Sequence, residues 1–371
     1  MSDPLVSFVV PCFKLAHLLP ECVNSILSQT CRDFEILILD DCSPDNTAEV
    51  ARSFKDPRVT HIRNDPNLGS LRNYNKGIGL ARGKYVWLIS ADDYLRRPYV
   101  LQRSVELLES HPRVGYTFCS GVGVRNGRET ETLAYATYGD RDQVVPGHAF
   151  VEKLLDHNIV LAASGLARRE CYEKISLFPL DMPWAGDWYL WSVFALFWDV
   201  GYLAEPMICY REHELSMTTQ LQQFVESRLE EDLAVRWRVG HKAEAAGFRR
   251  MARACLEAVA KDYARFAKCK LFDWAPSHMT LEKFEESLQR NTTQEADRAW
   301  IRAWVFMDLG DAYGSLGDSN LAREFYRRSH ENNPWMAKLA AKRLLLALGR
   351  PGDSLRRMLR SARGTNAAPR R

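Results

Sequence analysis

The amino-acid sequence predicts two domains: an α/β domain built on a mainly parallel, mixed sheet over residues 1–219, then an all-helical domain over 220–371. Three observations lead there. At 371 residues the chain is longer than one hydrophobic core usually supports. Its first hundred residues alternate short apolar runs with helix-length amphipathic stretches, the signature of βαβ units. Beyond about Gln220 the strand signals stop, and segments rich in Ala, Glu, Arg and Leu take over.

Taken in order, Ser7–Pro11 reads as a buried strand, His17–Gln29 as an amphipathic helix and Glu35–Asp41 as a second strand. A helix follows, opened by Asp45, whose short carboxylate suits an N-cap. Arg58–Asn64 is a third strand, Ser70–Ala81 a helix, and Lys84–Ser90 a fourth strand running into Ala91-Asp92-Asp93. In parallel sheets ligands bind beyond the carboxyl ends of the strands. The acidic pairs Asp40-Asp41 and Asp92-Asp93 both fall at such ends, which places them along one crevice. After residue 114 the pattern changes. Val114–Val124 reads as a strand closed by an Asn126-Gly127 turn, hence a hairpin. Pro146–His157 is helical, Ile159–Ala167 strand-like, Asp187–Phe197 an apolar helix and Tyr202–Tyr210 a last strand, so this half is expected to be partly antiparallel.

The helical domain reads as Phe224–Ala246, Phe248–Lys270 and Leu281–Gln289, then a hairpin at about 303–336. There Phe306, Leu309, Gly310, Tyr313, Ala322, Tyr326 and Pro334 fall at a spacing that resembles a tetratricopeptide repeat, with small residues letting two helices approach. Residues 335–349 read as a capping helix and 350–371 as a basic tail.

Composition narrows the function. Hydrophobic residues at 46% and charged residues at 26% exclude a mostly disordered chain. A net charge of +3 is too small to argue for nucleic acid. It is unevenly spread: residues 335–371 hold ten Lys and Arg against one Asp, a charge of +9, which leaves residues 1–334 at −6. That tail is suited to an anionic membrane surface. The start, MSDPLVSFVVP, lacks the positive region of a signal peptide. The apolar stretch Trp188–Tyr210 is broken by Asp199, Gly201, Glu205 and Pro206, so it is not read as a membrane span. The nine cysteines form no C-x-x-C pair and read as reduced core thiols rather than a zinc site. The expectation is a cytoplasmic protein, peripheral at the inner face of the membrane.

The strongest signal is an ordered set: VVPCF, then ILSQTCRDFEILILDDCSPDNT, then NLGSLRNYNKGIGLARGKYVWLISADD. With it the chain resembles, over roughly residues 5–216, the family 2 glycosyltransferases, nucleotide-sugar-dependent enzymes of the GT-A fold. The resemblance implies transfer of a sugar, with inversion, from a nucleotide donor such as a uridine diphosphate sugar. The acceptor is a hydroxyl in a surface polysaccharide, a lipid-linked glycan or a protein, with the helical domain available to a protein partner. It also implies Mn²⁺ or Mg²⁺, since a hard cation held by carboxylates neutralises a departing diphosphate.

Carried over position by position, Asp93 is the metal ligand and Asp92 faces the ribose or metal-bound water. Ser90 stands where the family commonly has a first acid. Asp41 matches the position whose carboxylate accepts a uracil N–H, while Pro11 and Phe13 frame the base. Asp40 reads as a structural carboxylate tying down the following turn. Arg72 matches a basic position near the nucleotide, though a surface ion pair fits it equally. Asp187 matches the catalytic base, with Gly186 where Glu is usual; from sequence alone it serves equally as an N-cap. His213, in YREHELS, matches a histidine near the diphosphate and metal, or is an idle loop histidine. Trp184 is the candidate for stacking on the acceptor sugar, since Trp188 and Trp191 lie at helical spacing and read as core. The competing function is a catalytically inactive glycosyltransferase-like scaffold acting through its helical repeat. Intact Asp93 and Asp187 argue against it, and donor hydrolysis would discriminate.

Overall fold

The computed structural model describes residues 3–214, 216–271, 280–292 and 294–334, and the chain divides into two compact units between Ala252 and Arg253. The capping helix expected at 335–349 and the basic tail lie outside the described residues.

The first unit begins as the apolar runs predict: β1 (Val6–Cys12), α1 (Leu19–Leu27), β2 (Phe34–Asp40), α2 (Thr47–Ser53), β3 (Val59–Arg63), α3 (Ser70–Leu80) and β4 (Tyr85–Leu88). β5 (Tyr94–Leu95), α4 (Val100–Ser110), β6 (Val114–Arg125) and β7 (Arg128–Thr132) follow. Then come β8 (Gln143–Val145), α5 (Gly147–Leu154), β9 (Leu166–Arg168), α6 (Arg169–Lys174), α7 (Gly186–Ala195), β10 (Asp199–Arg211), α8 (Met217–Gln222) and α9 (Val225–Ala245). The strands form one sheet in the order β3-β2-β1-β4-β9-β6-β10-β5, with β7 on β6 and β8 on β10. β3, β2, β1 and β4 run parallel, β9 is antiparallel to both its neighbours, and β6 and β10 run parallel to each other. This is the mixed, mainly parallel GT-A sheet expected.

Every residue of β1 and β2 is buried, because helices cover both faces of a parallel sheet. Phe8 stacks on Trp87 at 5.4 Å, and the Trp87 indole N–H donates to the Ala163 carbonyl at 2.8 Å. The buried polar Ser7 is satisfied: its hydroxyl donates to Glu35 at 2.6 Å and accepts from the Gly83 N–H at 2.8 Å. The hairpin falls where Asn126-Gly127 predicts it, with φ of 51° and 71° at the two turn residues. The strand expected over Ile159–Ala167 is mostly a different structure. A short 3-10 turn occupies Ala162–Ser164 and only Leu166–Arg168 pairs. The run is apolar because it is buried beneath β4, and burial alone does not specify strand.

The unit division falls beyond residue 219, inside α10 (Arg249–Leu271). Helix α9 belongs to the first unit by its packing. Arg236 is 2% exposed and donates to the Leu155 and Asp156 carbonyls at 2.9 and 3.0 Å, while Arg238 pairs with Asp181.

The second unit holds α11 (Leu281–Asn291), α12 (Glu295–Ser315) and α13 (Ser319–Asn332). α12 and α13 form the expected hairpin, though its first helix starts at Glu295 rather than near 303. The landmark residues meet in it. Tyr313 stacks on Phe325 at 5.3 Å, Ala322 is buried, and a Cβ on Gly310 would lie 2.6 Å from the Tyr326 ring. Among the described residues no helix is long and apolar enough to cross a membrane, and the eight described cysteines are free thiols.

Candidate active site

The carboxyl ends of β1, β2 and β4 meet at one edge, and three carboxylate clusters are built there or face it. The first is structural. Asp40 is fully buried; its Oδ1 accepts from the Ser43 N–H at 2.9 Å and its Oδ2 from Arg63 at 2.6 Å, with His61 at 3.3 Å. Burial opposes its ionisation, but these donors prevail and hold it below the ordinary range. This is the turn-tying role expected of Asp40. The neighbouring loop after β1 is stitched to the same turn, since the Lys14 N–H donates to Ser43 and the Ala16 N–H to Asp45, each at 3.2 Å.

Asp41 is 3% exposed and ties down the loop entering α3. Its Oδ1 accepts from Asn64 and from the Leu68 N–H, both at 2.8 Å, and its Oδ2 from the Gly69 N–H at 2.9 Å. Gly69 has φ +80°, which an L side chain rarely adopts, so this tight entry to α3 needs glycine. Three donors leave one acceptor direction on Oδ2, the capacity a single base N–H requires. Pro11 is buried within β1, whereas Phe13 is 42% exposed on the following loop. Arg72 is exposed on α3 and makes no ion pair among the described residues.

The second cluster is the Asp92-Asp93 pair after β4, held in place by β10. The Arg211 N–H donates to Asp93 Oδ1 at 2.9 Å, the Arg211 guanidinium donates to the Asp92 carbonyl at 2.7 Å, and Arg211 also pairs with Glu21. His213 Nε2 lies 3.0 Å from Asp92 Oδ2. Burial, with Asp92 beside it, pushes the Asp93 carboxyl well above its ordinary range. Asp92 Oδ1 is buried with no hydrogen-bond partner. An orphaned carboxylate oxygen beside a second buried carboxylate is a site short of positive charge, and it suits a hard cation that takes oxygen ligands. No three-residue metal cluster occurs among the described residues, so the fit is to an open site whose remaining ligands a bound diphosphate would supply.

The third cluster centres on Asp187 in the first turn of α7. Its Oδ2 accepts from Asn158 at 3.0 Å and its Oδ1 from the Trp188 N–H at 2.7 Å. Burial pushes its carboxyl up to about 6 against those two bonds. Asn75 joins α3 to this region, exchanging two 2.9 Å hydrogen bonds with the Phe178 backbone on the loop before α7.

Tyr74, unmarked in the sequence, sits between the clusters. It packs edge-on against Phe178 at 5.5 Å, and burial together with Asp92, Asp187, Asp93 and Asp41 pushes its hydroxyl above the ordinary range. All four carboxylates therefore lie within electrostatic reach of this one phenol. Trp184 is less open than expected. The Arg228 guanidinium lies over its ring at 4.0 Å, so one face is already covered.

A mixed, mainly parallel sheet with carboxylates converging at its strand ends, and a further carboxylate opening a facing helix, defines a GT-A domain. Residues 7–153 match the model "Glycosyl transferase family 2". An uncharacterized glycosyltransferase, EpsJ, of Bacillus subtilis is 30% identical over 223 residues, 58% of this chain and 63% of that one. A PGL/p-HBAD biosynthesis glycosyltransferase of Mycobacterium tuberculosis is 33% identical over 114 residues, 30% of this chain and 44% of that one. The chain thus spans under two thirds of the length of these relatives. Among solved structures, S. aureus TarS 1–349 with UDP-GlcNAc superposes with a TM-score of 0.56 at 16% identity, over 88% of both chains, a likeness of fold.

Proposed function

We propose that this protein transfers a sugar, with inversion, from a uridine diphosphate sugar to a hydroxyl acceptor. The observation that carries the reading is the Asp92-Asp93-His213 group with its orphaned oxygen at the carboxyl end of β4. Crystals of the structural neighbour hold UDP and UDP-GlcNAc, which supports the donor class.

Asp93, with Asp92 and His213 beside it, would hold Mn²⁺ or Mg²⁺. That ion supplies charge neutralisation to the departing diphosphate. Asp41 accepts the base N–H, Phe13 and Pro11 frame the ring, and exposed Arg72 approaches the phosphates. Asp187, ionised at neutral pH, takes the proton of the acceptor hydroxyl as its oxygen bonds to the anomeric carbon. The bond from that carbon to the diphosphate oxygen breaks on the opposite face, and its electron pair leaves with UDP. Trp184 would stack on the acceptor sugar with the ring face opposite Arg228. The acceptor is a glycan, lipid-linked or protein-borne, approached from the cytoplasm, with the basic tail drawing the protein to an anionic membrane.

Titration calorimetry with UDP and Mn²⁺ tests the donor half. Asp93→Asn is expected to weaken metal-dependent UDP binding at least about tenfold while circular dichroism stays native. Unchanged affinity would refute the metal assignment.

A further inference from the structure

Helix α9 meets the segment carrying Asp187 from two sides. From one side, Glu231 Oε2 accepts from the Trp184 N–H at 2.8 Å and from the Ala185 N–H at 2.9 Å. These amides immediately precede α7 and have no partner within it, and a carboxylate there also complements the positive end of the helix. From the other side, Arg236 binds the Leu155 and Asp156 carbonyls, and its guanidinium lies 4.8 Å from the Trp188 ring centre. Leu155 and Asp156 lead directly to Asn158, whose amide donates to Asp187. The indole N–H of Trp188 donates to the Leu154 carbonyl at 2.8 Å, closing the frame. The base is therefore fixed through its backbone by Glu231 and through its hydrogen-bond donor by Arg236.

We propose that Glu231 is a positioning residue for Asp187: by holding the two amides ahead of α7 it sets the direction in which the Asp187 carboxylate meets the acceptor hydroxyl. This rests on the reading of Asp187 as the base. Misplacing a reacting group by about 1 Å costs on the order of a hundredfold in rate, so a positioning residue acts on kcat rather than on donor binding.

The test is a sugar-transfer assay on the full chain. Glu231→Ala is expected to lower kcat about 10- to 100-fold with donor KM within about twofold. Glu231→Gln is expected to restore most of the turnover, because its amide oxygen accepts the same two N–H bonds that Oε2 accepts now. Added to Asp187→Asn, Glu231→Ala is expected to cost nothing further, since the group it positions is already disabled. Circular dichroism checks folding, and Glu231→Leu, which keeps bulk without an acceptor, replaces the alanine variant if that fails to fold. Wild-type turnover in Glu231→Ala beside an inactive Asp187→Asn would overturn the positioning role alone. So would a full additional loss in the Asp187→Asn background, or no recovery with Gln. Normal turnover in Asp187→Asn would instead overturn the base assignment.

Discussion

Replacing Asp187 by Asn should change how stability depends on pH, in a direction fixed by the site. Burial holds the folded-state carboxyl at about 6, above the usual value of 3.8 that the unfolded chain retains. The folded protein therefore binds the proton more tightly than the unfolded chain does. The stability Asp187 contributes is full below pH 4 and is lost as pH rises through 6. Between pH 4.5 and pH 8 the loss spans about 1.5 pH units, a ceiling of about 2 kcal/mol. Water reaching the half-buried side chain reduces this to about 1 kcal/mol. Asn does not titrate. It also forfeits the bond from the Asn158 amide, a fixed offset of about 1 kcal/mol that is the same at both pH values. The quantity to measure is thus the change in the stability gap between variant and wild type. Urea unfolding at pH 4.5 and pH 8, followed by tryptophan fluorescence and fitted separately for the first unit, gives it. The variant should gain about 1 kcal/mol on wild type as pH rises. Wild-type kcat should meanwhile fall about tenfold per unit below pH 6. A gap that is constant, or that moves against the variant as pH rises, would refute the reasoning.

Two further outcomes follow from packing. Asp41→Ala strips the loop before α3 of three hydrogen bonds and should cost about 2–4 kcal/mol by urea unfolding, together with a raised donor KM; a loss confined to KM would show that the loop does not need this carboxylate. Gly310→Ala gains helix propensity but drives a methyl group to 2.6 Å from the Tyr326 ring, so the hairpin of the second unit should lose about 1–3 kcal/mol; a raised melting temperature would mean the two helices separate freely.

The fold of the first hundred residues was legible because its signals are local. Apolar runs such as Ile36–Leu39 read as buried strands when helix-length stretches separate them, and acidic pairs ending such strands mark the crevice. Elsewhere the local signal fails for identifiable reasons. Helix α4 has Tyr99 at its N-cap and no capping side chain, so its start is silent in the sequence. The 159–167 run is apolar through burial against Trp87, which a turn achieves as well as a strand. In the site, Asp92, Asp93 and Asp187 stand in recognisable motifs. Asn158, Tyr74 and Glu231 do not, because each acts across a sequence gap that only folding closes: 29 residues from Asn158 to Asp187 and 46 from Ala185 to Glu231. Arg72, for which the sequence also allows a surface ion pair, makes none among the described residues.

The placement of α9 bears on how this domain can be recombined. The family match ends at residue 153, and a cut at residue 219 would keep every strand while removing the helix that secures the floor of α7. Leu233, Val235, Trp237 and Val239, all buried in the intact protein, would leave with it. The smallest transplantable unit that keeps α7 braced therefore runs through Ala245. A graft joined any earlier inherits the carboxylates at the strand ends without the brace for α7. The carboxylates at the strand ends and the carboxylate of α7 are accordingly secured by different segments of the chain, the first from within the sheet and the second from α9.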